Sequence, residues 1–226
     1  MALMPLVPPS TKEQIVLTAE RLFAERGLEG VSLRQIGAAA GNGNHSVVQY
    51  HFGTKEQLVR AIFEYRMTHL DDRRRMLMAQ RPPGDLRAAV ESYVLPILEQ
   101  GEQAGSHYLS FVAMLQQHAD QAMFDATPDH LRVSTQAFRD QISGLLTSVP
   151  EPLRSHRISE AIAFSVHASA RRERAQTAGL SVFPFALHTA DLLDALVGFL
   201  VAPVSASTRA ALREADLPSV GELLPL

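Results

Sequence analysis

The chain contains no cysteine, which excludes disulfides, thiolate metal sites and a cysteine nucleophile and fits a reducing compartment. It also lacks an excess of positive charge. Lys and Arg number 21 against 24 Asp and Glu, a net of −3, so it is not a general polyanion binder, and any nucleic-acid surface must be local. Its nine histidines include no pair at i, i+3 or i, i+4 and no His-Glu-x-x-His, so no metal site is expected. There is no strand–Gly-x-Ser-x-Gly–helix unit and no glycine-rich phosphate loop. Neither an enzyme nor a bound cofactor is expected. Long hydrophobic runs are missing too. Residues 192–204 are the most apolar stretch, but they carry Asp194 and end at Pro203, which suits a buried helix better than a membrane span. The first nine residues lack a basic start and are broken by prolines. They read as a disordered tail, not as a signal peptide. No strand pattern and no internal repeat is found.

What is present is organised around Ser32 to Lys55. Ser32 can N-cap a short helix, and Gln35, three residues on, can close a capping box. Leu33, Ile36, Gly37 and Ala40 give a narrow face of mostly small residues that lets a second helix cross closely. Gly41, Asn42 and Gly43 stop that helix, because glycine and asparagine tolerate positive φ. The segment from Asn44 to Phe52 is too short to stand alone as a helix and needs tertiary support. Its outward side chains are Asn44, His45, Ser46, Gln49 and Tyr50, each able to bond a base edge or a phosphate. This is the build of a helix-turn-helix.

At 226 residues the chain has room for one or two domains. A first helix runs from about Lys12 to Arg26, capped by Ser10 with Glu13 and ended by Gly27; Ile15, Ala19, Leu22 and Phe23 form its inward stripe. After the short segment, Thr54 and Gln57 predict a third capping box for a helix reaching about Gln80. At some 25 residues that helix is about 38 Å long, enough to leave the small domain and enter the next. Further helices are expected at 85–102, with Pro96 kinking or dividing it, and at 107–120, 128–149, 151–177, 184–202 and 207–215. The fold is therefore all-α, with nine or ten helices. Residues 10–54 form the small domain and 55–226 a larger helical one.

These residues resemble the tetracycline-repressor (TetR) family of bacterial regulators. The resemblance is carried by Phe23 and Gly27, by Val31-Ser32-Leu33-Arg34-Gln35-Ile36-Gly37, by Ala40-Gly41, by Tyr50-His51-Phe52, and by Thr54-Lys55-Glu56-Gln57-Leu58. It covers about 50 residues, in order and at the family's spacing. The turn region from Gly41 to Gln49 is one residue longer than the common form. Gln49 thus stands where the family has a phosphate-facing tyrosine, and Tyr50 comes one position later. The resemblance implies a homodimer on a double-stranded DNA operator, a small-molecule effector and a cytoplasmic location, with no membrane partner. It also implies a DNA contact for Lys55. Ser32 and Arg34 start a helix whose N–H groups and guanidinium suit a phosphate, and Ser32 can equally be a plain cap. His51 either faces inward or reaches a phosphate. Residues 10–60 hold six Lys/Arg against five Asp/Glu, so binding needs two such domains and a specific site.

In the larger domain, Tyr93, Tyr108, Phe111, Met114, Leu115, Phe138 and Ile142, with His118 and His167 as polar candidates, either line an effector pocket or pack as ordinary core. The last two long helices are the expected dimer interface, through Ile158, Ile162, Ser165 and Val166 on one and Leu193, Leu196, Val197 and Leu200 on the other. The expected function is that of a ligand-responsive transcriptional regulator, most simply a repressor. The alternatives are a regulator that responds to no ligand, and an all-α small-molecule-binding protein or enzyme that does not touch DNA.

Overall fold

The computed structural model describes residues 10–41, 46–80, 84–118 and 129–214. Its helices are α1 (Thr11–Arg26), α2 (Leu33–Ala39), α3 (Val47–Phe52), α4 (Lys55–Ala79), α5 (Leu86–Gly101), α6 (Tyr108–His118), α7 (Asp129–Leu145), α8 (Glu151–Thr177), α9 (Phe185–Val201) and α10 (Ala206–Glu214). No strand occurs among the described residues, and the fold is all-α. The tail at 1–9 lies outside the described residues, as do Asn44 and His45.

Local chemistry sets the helix ends. Ser10 and Glu13 close the expected box, with the Ser10 N–H donating to Glu13 Oε2 at 2.7 Å. That hydrogen bond holds the Glu13 carboxyl below its ordinary range. Ser32 and Gln35 close a second box, the Ser32 N–H donating to Gln35 Oε1 at 2.8 Å. The third is only half made. Thr54 Oγ1 accepts from the Gln57 N–H at 3.3 Å, but its hydroxyl also meets the Glu56 carboxylate, which lowers that group's pKa. Pro96 lies inside α5 without dividing it. Helix α7 stops at Leu145 instead of Val149, because Pro150 disfavours helical geometry in the residue before it.

Helix α6 is the centre of the packing, held between α1 and α8. Phe111 lies 6.3 Å from Phe23 of α1 and 5.8 Å from Phe63 of α4, ring centre to ring centre. One continuous apolar core runs from Ile15 through Phe111 to Leu200. Helix α1, on which α2 packs, is therefore supported by α6 as well as by α4, a contact that no sequence periodicity announces.

Two buried glutamates hold the start of α6. Glu20 accepts from Arg66 Nε and Nη2, both at 2.7 Å, and from the His107 N–H at 3.1 Å. Arg66 Nη1 donates in addition to Gln100 and Gln103, each at 3.2 Å. Glu173 Oε2 accepts from the Ser110 N–H at 2.8 Å. Burial pushes the Glu173 carboxyl above its ordinary range; its hydrogen bonds to Ser110 and Ser106 oppose that rise, and the charge of Glu20 adds to it.

Replacing Glu20 by Ala leaves the Arg66 guanidinium buried without its carboxylate and the His107 N–H without an acceptor. The expected loss, read by urea unfolding, is about 3–5 kcal/mol. The Glu173 shift has the opposite sign from a salt-bridged acid: the folded state holds this proton more tightly than the unfolded one. Its contribution to stability therefore falls as pH rises from the ordinary value of 4.5 through the raised folded pKa. Glu173→Gln should remove that decline and raise stability at neutral pH, as measured by thermal unfolding across a pH series.

Candidate nucleic-acid interface and ligand cavity

Helices α2 and α3 cross at Gly37. A Cβ placed there would lie 3.3 Å from Val48 Cγ2 and 3.7 Å from Val47 Cγ1, so the crossing is as close as the run of small residues predicts. Gly41, with φ of +76°, ends α2. Helix α3 starts at Val47 rather than Asn44 and has only six residues. Ser46 stands exposed at its N-cap without capping it through the side chain. Val48 and Phe52, one turn apart, are buried and anchor α3 against the core. Helical geometry then turns Gln49, Tyr50 and His51 outward. All three are exposed, and Tyr50, at 84%, is the most exposed of the large apolar side chains described. His51 thus faces out, with its ring edge-on to Tyr50 at 5.2 Å.

Ser32 and Arg34 are exposed at the start of α2, with Ser32 also serving as its cap. Lys55 is occupied inside the protein. Its Nζ donates to the Leu28 carbonyl at 2.7 Å and ties the start of α4 to the connection between α1 and α2. Lys12 was not among the sequence candidates, yet it lies 5.8 Å over the Phe52 ring and brings a cation to the end of α3. Nothing in local spacing links residues 12 and 52; only the fold joins them. Among the described residues no group of three or more His, Asp or Glu could hold a metal ion.

A cavity of about 360 Å³ opens between α4, α5 and α7. Of the predicted pocket residues, Tyr93 and Phe138 line it. Tyr108, Phe111, Leu115 and Ile142 do not; they are fully buried core, because α6 is packed on both sides. Met114 is half-buried against the same core. His167 bonds the Ala163 carbonyl of its own helix at 2.9 Å and approaches Gln117 at 3.4 Å, away from the cavity. The His118 side chain lies outside the described residues. The lining that the sequence did not reveal comes from α4: Asp71, Arg74, Arg75 and Met78. A charged run on a long helix reads as a solvated face until α5 and α7 are seen to cover part of it.

The predicted dimer residues are also corrected. Ile158, Ile162, Ser165, Val166, Leu193, Leu196 and Leu200 are buried inside the protomer, where α9 packs on α5 and α8; Val197 is half-buried. The opposite faces of these helices carry exposed Phe164, Leu187, Phe199 and Val201. Among the described residues no single helix is long and apolar enough to cross a membrane; α9 and α10 qualify only as a pair bent by 59°.

An all-α chain with a short, outward-facing second helix locked across a glycine onto the first is a helix-turn-helix protein. Residues 15–62 match the family described as bacterial regulatory proteins, tetR family. An HTH-type transcriptional repressor of Mycobacterium tuberculosis is 39% identical over 79 residues, 35% of this chain; the match spans 40% of that relative's length. Among solved structures, the fatty acid degradation regulator FadR of Bacillus halodurans has a TM-score of 0.61 at 14% identity, covering 85% of this chain and 97% of that one. A transcriptional regulator of Rhodococcus sp. Rha1 gives 0.58 at 19% identity, covering 85% and 96%. At these identities the likeness is one of fold.

The α2–α3 crossing yields a graded test. Gly37→Val sets branched methyls against Val48 and should cost about 1–3 kcal/mol in urea unfolding. Gly37→Ala should be near neutral, since its gain in helix propensity of about 0.5–1 kcal/mol offsets the tight contact.

Proposed function

We propose that this chain is a transcriptional regulator, acting as a repressor, that binds a pseudo-palindromic DNA operator as a homodimer. The observation that carries this reading is α3 itself. It is a helix with two buried anchors and three consecutive exposed hydrogen-bonding side chains, within the segment that matches the tetR family. Gln49 and Tyr50 contact the major groove, Gln49 being suited to bidentate bonding of adenine. Ser46, His51, Ser32 and Arg34 bond phosphates, as do Asn44 and His45, which precede Ser46 in the sequence. Lys55 acts by positioning α4 and not by direct contact. Repression follows the M. tuberculosis relative, which is a repressor. Control of bacterial genes places the protein in the cytoplasm.

Two-fold symmetry demands half-site centres about 34–36 Å apart, or a multiple of that spacing. The dimer forms through the outer faces of α8 and α9, where Phe164, Leu187 and Phe199 lie exposed. An effector in the α4–α5–α7 cavity favours a dimer in which the two α3 helices are wrongly spaced, which requires it to bind the two states with different affinity.

The test is a gel shift against the DNA flanking the protein's own gene, backed by selection from random duplexes. The Gln49→Ala, Tyr50→Ala double variant touches only exposed positions, so its stability should stay within about 0.5 kcal/mol of the parent. Its specific affinity should fall at least about tenfold, as each lost base contact is worth about 1–3 kcal/mol. A folded variant that retards DNA as well as the parent would sink the assignment.

A further inference from the structure

We propose that the cavity between α4, α5 and α7 receives a small organic carboxylate with an apolar body, and that Arg74 holds the carboxylate. This deepens, and rests on, the reading of that cavity as the effector site.

The walls divide sharply in character. Met78, Ala89, Tyr93, Val133, Ala137 and Phe138 present carbon and aromatic surface. Into this surface is set the guanidinium of Arg74, a side chain only 3% exposed. Its guanidinium is a planar, delocalised cation. It is also held in place. The guanidinium carbon lies 3.8 Å from the centre of the Tyr93 ring, and the Phe138 ring stacks on that same ring at 4.0 Å. Two groups this close to one ring centre must occupy its two faces. The Tyr93 hydroxyl is fixed by Thr135 Oγ1 at 2.9 Å, which stops the stack from rotating. Such a clamped planar cation is preorganised for a planar anion.

The remaining polar groups decide the sign of the ligand. Arg75 adds a second guanidinium to the lining and pairs with the exposed Asp72. Asp71 is the one carboxylate in the lining, 3.5 Å from Arg74 Nη1. Ser92 is committed to the Ala88 carbonyl at 2.7 Å. A cationic ligand would therefore meet two guanidiniums against one carboxylate. A neutral ligand could fill the apolar space and offer Arg74 a carbonyl, but would bring it no counter-charge. A carboxylate satisfies both. A volume of about 360 Å³ is near the lower end for ligand sites and suits an aromatic ring or a short acyl chain, not a large drug.

The experiment is isothermal titration of the full chain, free of DNA, with cinnamate and octanoate, each against its primary amide, and with octylamine. The parent should bind each carboxylate at least about tenfold tighter than its amide, since only the carboxylate can form a two-pronged ion pair with the guanidinium. Arg74→Met keeps an apolar stem and should bring that ratio to about one. Ala137→Phe lies at an exposed position, so it should fold normally and abolish binding by filling the cavity. Equal affinity for carboxylate and amide, preferential binding of octylamine, or no binding of either carboxylate at millimolar concentration would each overturn the proposal. So would a carboxylate preference that survives Ala137→Phe. Because no DNA is present, loss of the DNA reading leaves these outcomes intact. Conversely, a carboxylate that binds through Arg74 yet leaves operator affinity unchanged refutes the effector role and not the ligand class.

Discussion

The buried pair between Glu20 and Arg66 is the constraint on which the rest of the molecule depends. Burying two opposite charges is costly unless geometry and extra hydrogen bonds compensate. Here the contact is a two-pronged carboxylate–guanidinium fork with both distances at 2.7 Å. The spare capacity on each side is used to join elements. Glu20 also takes the His107 N–H at the start of α6, and Arg66 reaches Gln100 of α5 and the Gln103 side chain just beyond it. The Tyr65 and Tyr108 rings lie within 5.5 and 5.7 Å of the guanidinium. A single polar cluster thus fixes α1, α4, α5 and α6 in one relation. An apolar contact could slide by a fraction of an ångström at little cost. This one cannot, because any displacement breaks several charge-assisted bonds together.

That rigidity bears on how the two ends of the protein communicate. Helix α4 begins at the α3 junction, where Gly53 takes a φ of +71° and Lys55 grips the Leu28 carbonyl, and it continues past Arg66 to Arg74 and Met78 in the cavity. Lys55 to Arg74 is twenty residues of unbroken helix, about 28 Å from end to end. A helix of this length passes on tilt and translation as a rod. Under the proposed function, a change at Arg74 reaches α3 through α4, with α1 carried along by the Glu20 pair. The small domain then moves as a unit, and the dimer registers the movement as a change in the spacing of its two α3 helices.

What could be read from the sequence divides by the range of the interaction involved. The capping residues Ser10 and Ser32 and the stripes of α1 and α4 were legible because each depends on neighbours within four or five positions. The α2–α3 crossing was legible for the same reason: Gly37 and the small residues around it leave room for only one arrangement. The short second helix ends at Phe52 as its sequence suggests but starts at Val47 and not at Asn44, a boundary that no local periodicity marks. The cavity and the dimer face were misjudged for a different reason. An apolar stripe states that a face is covered and not by what. Ile162 and Leu196 are covered by the protomer itself, and Phe111 is packed against Phe23 of α1 and Phe63 of α4. Glu20, Arg66 and Arg74 carry no periodic signal at all, because charged residues become structural only through partners distant in the chain.

The electrostatics of the small domain limit how it can work. Six basic against five acidic side chains between residues 10 and 60 leave little net charge, and three of the cations are already engaged: Lys55 with Leu28, Arg60 with Glu64 at 3.1 Å and Arg21 with Glu25 at 3.4 Å. If this domain binds DNA as proposed, few phosphates can be neutralised per protomer, so non-specific attraction, which scales with their number, is weak. A single domain would then dissociate readily even from its correct site. Binding strong enough to matter must come from two domains held at a fixed separation, where the second contact forms at high effective concentration. Under the proposed function the same weakness makes regulation economical: when affinity depends on both domains engaging together, a small change in their separation is sufficient to release the DNA.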